Sequence, residues 1–74
     1  LYLYDQALAS LHARIASRAP ALSGLQGIAL EQALAQRTGI DARQLASALR
    51  RPPAHDKTAL AQRITVLMET RNLL

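Results

Sequence analysis

Apolar side chains recur every three or four positions along most of this chain, the spacing that places them on one face of an α-helix. In the first segment this stripe consists of Tyr4, Leu8, Leu11 and Ile15. The later stripes consist of Leu30 and Leu34 with Ile28 and Ala33 beside them, of Leu45 and Leu49, and of Leu60, Ile64, Leu67 and Met68. No stretch alternates between apolar and polar residues as a half-buried strand does. The pattern predicts an all-α, compact four-helix domain with helices at about 3–18, 24–38, 41–50 and 56–72.

Polar residues and glycine at the ends of these segments predict how the helices begin and end. Ser23 and Asp56 stand where an N-cap residue belongs, before the second and the fourth helix. Asp41 is followed three residues later by Gln44, which is the spacing of a capping box at the start of the third helix. Gly39 occupies the position of a left-handed C-terminal cap. The third helix therefore has the clearest local signals.

Length and cysteine content narrow the class of protein. The chain has 74 residues, 50% of them hydrophobic, which suffices for a single small domain with a marginal core. It contains no cysteine, which excludes a disulfide framework and thiolate metal sites. Because it begins at Leu1 rather than at a methionine, we expect it to be a piece of a longer protein.

The sequence contains no pattern typical of catalysis or of cofactor binding. Glycine-rich phosphate loops, nucleophile elbows and metal-ligand spacings are all missing. His12 and His55 lie far apart, and neither Glu31 nor Glu69 has a neighbouring carboxylate that would suggest acid–base chemistry. We therefore expect no enzyme activity, no catalytic residue, no bound metal and no cofactor.

The second and third predicted helices have the outline of a helix-turn-helix. That motif needs a small residue in its first helix, a glycine at the turn and apolar residues that lock the second helix. Ala35, Gly39, Ile40, Leu45 and Ala48 meet these requirements. The same pattern serves any tight crossing of two helices, so it predicts a helix-turn-helix-like central pair without assigning DNA binding.

The exposed side chains of the third helix are a sharper test of DNA binding. The candidate binding face consists of Arg43, Gln44, Ser47, Arg50 and Arg51. The first three could contact bases and the last two could contact phosphates. Against this, Asp41 stands at the tip that would enter the groove, and Ala42 and Ala46 occupy positions where a base reader needs hydrogen-bond donors.

The positive charge of the chain does not select one class of partner. A formal net charge of +4 is compatible with nucleic acid, an anionic membrane surface or an acidic protein. Arg37 and Arg63 could add phosphate contacts further from the third helix. A solvated surface explains the arginines more simply.

Several motifs together resemble the C-terminal cytoplasmic segment of a family of bacterial membrane proteins that carry a domain of unknown function. The motifs are "LHARIASRAPALSGL", "LAQRTGID", "LASALRRPP" and "LAQRITVLMETRNLL". The matching residues are Leu34, Ala35, Arg37, Thr38, Gly39, Ala48, Leu49, Arg50, Pro52, Pro53, Leu67, Arg71, Asn72 and Leu74. Proteins of that family are commonly encoded beside MoxR-type AAA+ ATPases. The resemblance implies a tail that follows a transmembrane helix upstream of Leu1, and it transfers no catalytic residue.

Some apolar residues fall outside the stripes and suggest a partner surface. Leu22, Val66, Leu73 and Leu74 do so, and they would form such a surface if they are exposed. Closing a small core is the alternative role for the same side chains. Leu1, Tyr2 and Leu3 would pack against a membrane-proximal part of the longer chain.

These features favour a non-enzymatic protein-interaction or regulatory module on the cytoplasmic side, tethered to the inner membrane through upstream sequence. Its partner would be a protein, either the AAA+ ATPase system or the rest of its own chain. A helix-turn-helix DNA-binding domain is the alternative function. Contact between the arginines and an anionic membrane surface is a third, weaker interpretation.

Overall fold

The computed structural model describes residues 2–74, and these form four α-helices and no strand, which confirms the all-α prediction. The helices are α1 (Tyr2–Arg18), α2 (Gly27–Thr38), α3 (Ala42–Leu49) and α4 (Lys57–Leu73). The ends of α1, α3 and α4 lie within one residue of the predicted bounds. Leu1 lies outside the described residues.

The start of α2 differs from the prediction because the segment before it forms a separate turn. A short 3-10 helix spans Pro20–Leu22, and the Ser23 hydroxyl donates to the carbonyl of Pro20 at 2.7 Å instead of capping α2. The N-cap of α2 is Gln26, which has extended backbone and makes no side-chain cap. Gly27 then takes a φ of 60°, which glycine adopts without a Cβ clash. The prediction of Ser23 as an N-cap is therefore wrong, and α2 begins three residues later than expected.

Helix α4 packs against both α1 and α3, while α3 also packs against α2. Tyr4, in the first turn of α1, lies near Arg63 in the first half of α4. Ser10 contacts Arg71 near the end of α4. The helices α1 and α4 therefore run parallel where they pack together.

The core contains most of the residues that the apolar stripes predict. Its buried members are Tyr4, Leu11, Ile15, Leu30, Leu34, Leu45, Ala48 and Leu67. Leu8, Leu49, Leu60 and Ile64 are half-buried against them. All four helices contribute side chains to this core, so each helix is stabilised by packing against the others in addition to its own sequence.

The inward face of α4 is rotated relative to the prediction. Met68 is 46% exposed, whereas Thr70 is fully buried. Burial of Thr70 is inexpensive because its hydroxyl donates to the Val66 carbonyl of the same helix at 2.7 Å. The expectation that Met68 faces inward is therefore wrong.

Most of the residues that fall outside the stripes pack against the core. Leu22, Val66 and Leu74 are half-buried and pack against the core, and only Leu73 is well exposed. Val66 is covered because α4 has neighbours on two sides and needs a wider apolar arc than one stripe supplies. Three of the four residues thus take the alternative role, that of closing a small core.

Candidate binding surfaces

The predicted binding face is built on α3, whose start is fixed by a turn and a cap. Gly39 has a left-handed backbone with φ 80°, and its N–H donates to the Ala35 carbonyl. The Asp41 carboxylate accepts from the N–H of Arg43 at 2.8 Å. In the part of the chain that the structure describes, Gln44 does not return the second bond of a capping box, so Asp41 caps the helix alone. Leu45 is fully buried and anchors the inner side of α3.

Three of the five predicted face residues lie together on α3. Arg43, Gln44 and Ser47 are exposed, and their side chains make no hydrogen bond to other residues in 2–74. Arg50 is also exposed but lies just beyond the helix, where its backbone is extended. A guanidinium, an amide and a hydroxyl are therefore available on one helical surface.

Arg51 is separated from this face by an ion pair. Its guanidinium donates two hydrogen bonds to the carboxylate of Asp5, at 2.8 and 3.1 Å. The side chains are 61% and 49% exposed, so the pair adds no more than a fraction of a kcal/mol, on the order of 0.5. It does, however, occupy the donors of Arg51 and joins the loop before α4 to α1.

Further arginines that the sequence suggested as phosphate contacts also have internal partners. Arg37 donates to the carbonyl of Arg18 at the end of α1, at 3.1 Å. Arg63 donates to the carbonyl of Arg50 beyond the end of α3, at 2.9 Å. Carbonyls at helix ends lack an intrahelical partner, so these arginines stabilise the ends of two helices.

The alanines of α3 are less exposed than the sequence analysis assumed. Ala42 and Ala46 are half-buried rather than solvent-facing. The solvent side of α3 is therefore formed by Arg43, Gln44 and Ser47, and the alanines are no argument against a contact there. The acidic tip at Asp41 remains as predicted.

A second surface, which the sequence analysis missed, is an open groove where α1, α2 and α3 meet. We call it the apolar groove. Its apolar lining residues are Leu8, Leu25, Ile28, Leu30 and Leu49, and the remaining lining residues are His12, Gln26, Gly27, Glu31 and Arg50. Ile28 is 70% exposed although it lies beside half-buried leucines. The spacing of three between Leu25 and Ile28 is a signal for this surface, since both residues line the groove.

No catalytic arrangement is evident among the described residues. Tyr4 is buried, and its hydroxyl donates to the Ala48 carbonyl at 2.7 Å. Burial raises the pKa of Tyr4 above its ordinary value of 10.0, while the nearby charges of Arg63 and Arg51 partly offset the increase. Within 2–74 every buried side-chain nitrogen or oxygen has a partner. No three His, Asp or Glu side chains in that range lie together as metal ligands would.

The fold and its surfaces define a small all-α domain with two candidate binding surfaces. No family model matches the chain, and neither a curated protein nor a solved structure does. Of the helices described, none is both long and apolar enough to cross a bilayer.

Proposed function

We propose that this chain is a non-enzymatic protein-interaction module that binds a helix of its partner in the apolar groove. The observation that carries the proposal is Ile28, which is 70% exposed in a concave site. Single exposed apolar residues are common on protein surfaces. An exposed isoleucine surrounded by leucines from three elements is different, because a partner can bury several apolar side chains there at once.

The shape and composition of the groove support a helical ligand. Leu8 comes from α1, Ile28 from α2 and Leu49 from the end of α3, with buried Leu30 as the floor. A partner helix presents apolar residues three and four positions apart, and such a row can contact apolar residues that three helices contribute to one groove. Contacts of this kind provide affinity, while the polar lining residues limit which partners fit.

The family resemblance supports a protein rather than a nucleic acid as the partner. It implies a cytoplasmic tail close to the inner membrane and to an AAA+ ATPase system. The partner would then be a component of that system or another segment of the same polypeptide. Such a tail has little need to read a DNA sequence.

The proposal is tested by selecting helical peptides from a displayed library against the 74-residue chain. Selected peptides should bind the wild type, lose at least about tenfold in affinity for Ile28→Lys, and bind Leu73→Lys normally. Leu73 is the matched control because it is also an exposed apolar residue, at 56%, but it lies outside the groove. Peptides that bind Ile28→Lys as well as the wild type, or a selection that enriches none, would contradict the proposal.

DNA binding is a second candidate function, favoured by one observation. The side chains of Arg43, Gln44 and Ser47 are all exposed and make no internal hydrogen bond within 2–74, as base-contacting groups require. Titration with random duplex DNA tests it: binding should weaken steeply with added salt and on Arg43→Ala or Arg50→Ala. Absence of binding at low salt would eliminate this candidate.

A further inference from the structure

The positive charge of the molecule is concentrated in one segment. Residues 43–63 contain five basic residues and one acidic residue, whereas the rest of the chain contains four of each. The formal net charge of +4 therefore belongs to the segment that runs from α3 into the first half of α4. Its one acid, Asp56, accepts from the N–H of Ala59 at 3.0 Å and caps α4.

Arg50 connects this basic segment to the apolar groove. It lines the groove beside Leu49, and its exposed guanidinium makes no hydrogen bond in the described part of the chain. The backbone at Arg50 is held, because its carbonyl accepts from Arg63 at 2.9 Å. A ligand in the groove would thus find a positively charged side chain on the α3 side, attached to a backbone that is held in place.

The groove is also lined by one acidic residue. Glu31, which is half-buried, contributes to the lining from α2. A ligand with carboxylates on both flanks would be attracted at Arg50 and repelled at Glu31. These two charges therefore favour a ligand with its acids on one side, in an orientation that turns them toward α3.

We infer that the partner is an acidic amphipathic helix. Its apolar stripe covers Leu8, Ile28 and Leu49, and the carboxylates along one flank face Arg50. This inference rests on the proposed function and adds the chemistry of the partner to it. Charges at an exposed rim change the association rate and the salt dependence more than they change total affinity.

Three synthetic peptides of about 18 residues, long enough to form a helix, provide the test. They share one apolar stripe and carry glutamate, glutamine or lysine along one flank. Fluorescence anisotropy gives their dissociation constants for the 74-residue chain at low and at physiological ionic strength. We expect the glutamate peptide to bind about 3- to 10-fold tighter than the glutamine peptide, and this advantage should shrink as salt is added.

Charge reversal at Arg50 tests whether the preference for the glutamate peptide depends on this residue. Arg50→Glu should weaken the glutamate peptide by about 3- to 10-fold and should reverse the preference toward the lysine peptide. Arg18→Glu changes the net charge equally at another exposed arginine, and it should alter affinity by less than about twofold because Arg18 does not line the groove and exposed charges are screened by salt. Glu31→Gln should tighten the glutamate peptide slightly.

The outcomes separate this inference from the proposed function. If the three peptides bind equally and Ile28→Lys weakens all of them, docking in the groove stands and the acidic partner is wrong. If none binds, or if Ile28→Lys changes nothing, both are wrong. If the chain instead binds duplex DNA with an affinity lost on Arg43→Ala and retained on Ile28→Lys, the basic segment binds nucleic acid and the inference is overturned.

Discussion

Two regions along the apolar stripe of α1 show how differently similar apolar residues can be used in one small domain. In the first region, which we call the closed side of the molecule, Leu11 and Ile15 are covered by the other helices and have almost no solvent exposure. In the second region, the open side, Leu8 of the same stripe is only half-buried and lines the apolar groove together with the exposed Ile28. On the closed side, the buried residues of α1 share a core with Leu67 of α4, and α4 packs along α1. On the open side, α1 is contacted by the short segment before α2. The buried residues stabilise the fold, whereas the exposed residues are available to a partner.

Truncation of a core leucine should produce the largest difference between the two sides. Leu67→Ala removes a fully buried side chain and should reduce the free energy of unfolding by about 2–5 kcal/mol. Ile28→Ala removes a similar volume from the open side and should change it by less than about 0.5 kcal/mol. Urea denaturation followed by circular dichroism measures both. Similar losses for the two variants would mean that the groove is part of the core.

Loss of the buried tyrosine hydroxyl should have the next largest effect. Tyr4→Phe leaves the Ala48 carbonyl without its donor, at the point where α1 meets the end of α3. We expect a loss of about 1–1.5 kcal/mol in the free energy of unfolding. Tyr2→Phe is the matched control, because Tyr2 is 72% exposed and should show almost no change. A neutral Tyr4→Phe would indicate that this contact is dispensable.

The same tyrosine should make the domain sensitive to alkaline pH. Burial raises the pKa of Tyr4 in the folded state, so its neutral form is favoured by folding. The stability it provides is complete below the unfolded pKa near 10.0 and declines as the pH rises from there through the folded pKa. Unfolding measured from neutral pH to above the unfolded pKa should show this fall in the wild type and a smaller fall in Tyr4→Phe. Parallel curves would contradict the assignment.

How far the sequence predicts the structure depends on which interactions are local. The turn at Gly39 and the cap at Asp41 are local, and both were predicted. The start of α2 was not, because Ser23 has a competing partner in the Pro20 carbonyl. The orientation of Met68 and Val66 depends on how many helices pack against α4. The apolar pattern of a single helix does not predict that number.

The candidate site was predicted only in part for the same reason. The sequence identified Arg43, Gln44 and Ser47 as a shared face, since they lie on one short helix. The pairing of Arg51 with Asp5 joins residues that are 46 positions apart, so no local sequence pattern predicts it. The apolar groove likewise combines three helices and becomes visible only once they are packed.

The turn between α2 and α3 determines where Leu49 and Arg50 border the groove, so a change there should affect stability modestly. Gly39→Ala introduces a Cβ at a φ of 80° and should reduce the free energy of unfolding by about 1 kcal/mol. Steric contact is not the cause, because an added Cβ would meet nothing within 4 Å. Gly24→Ala is the control, since its backbone is not left-handed and its surroundings are equally open. An equal effect of both changes would remove the backbone explanation.

The smallest effect belongs to the ion pair beside the open side of the molecule. Asp5 lies three residues before Leu8 on α1, and neither Asp5 nor Arg51 lines the groove or is buried. Both side chains are about half exposed or more, at 49% and 61%, and water screens their attraction. Asp5→Asn should therefore reduce the free energy of unfolding by at most about 0.5 kcal/mol, and the difference should vanish at high salt. A loss that approaches the one expected for Leu67→Ala, or that persists at high salt, would show that the open side contributes to the fold as strongly as the closed side does.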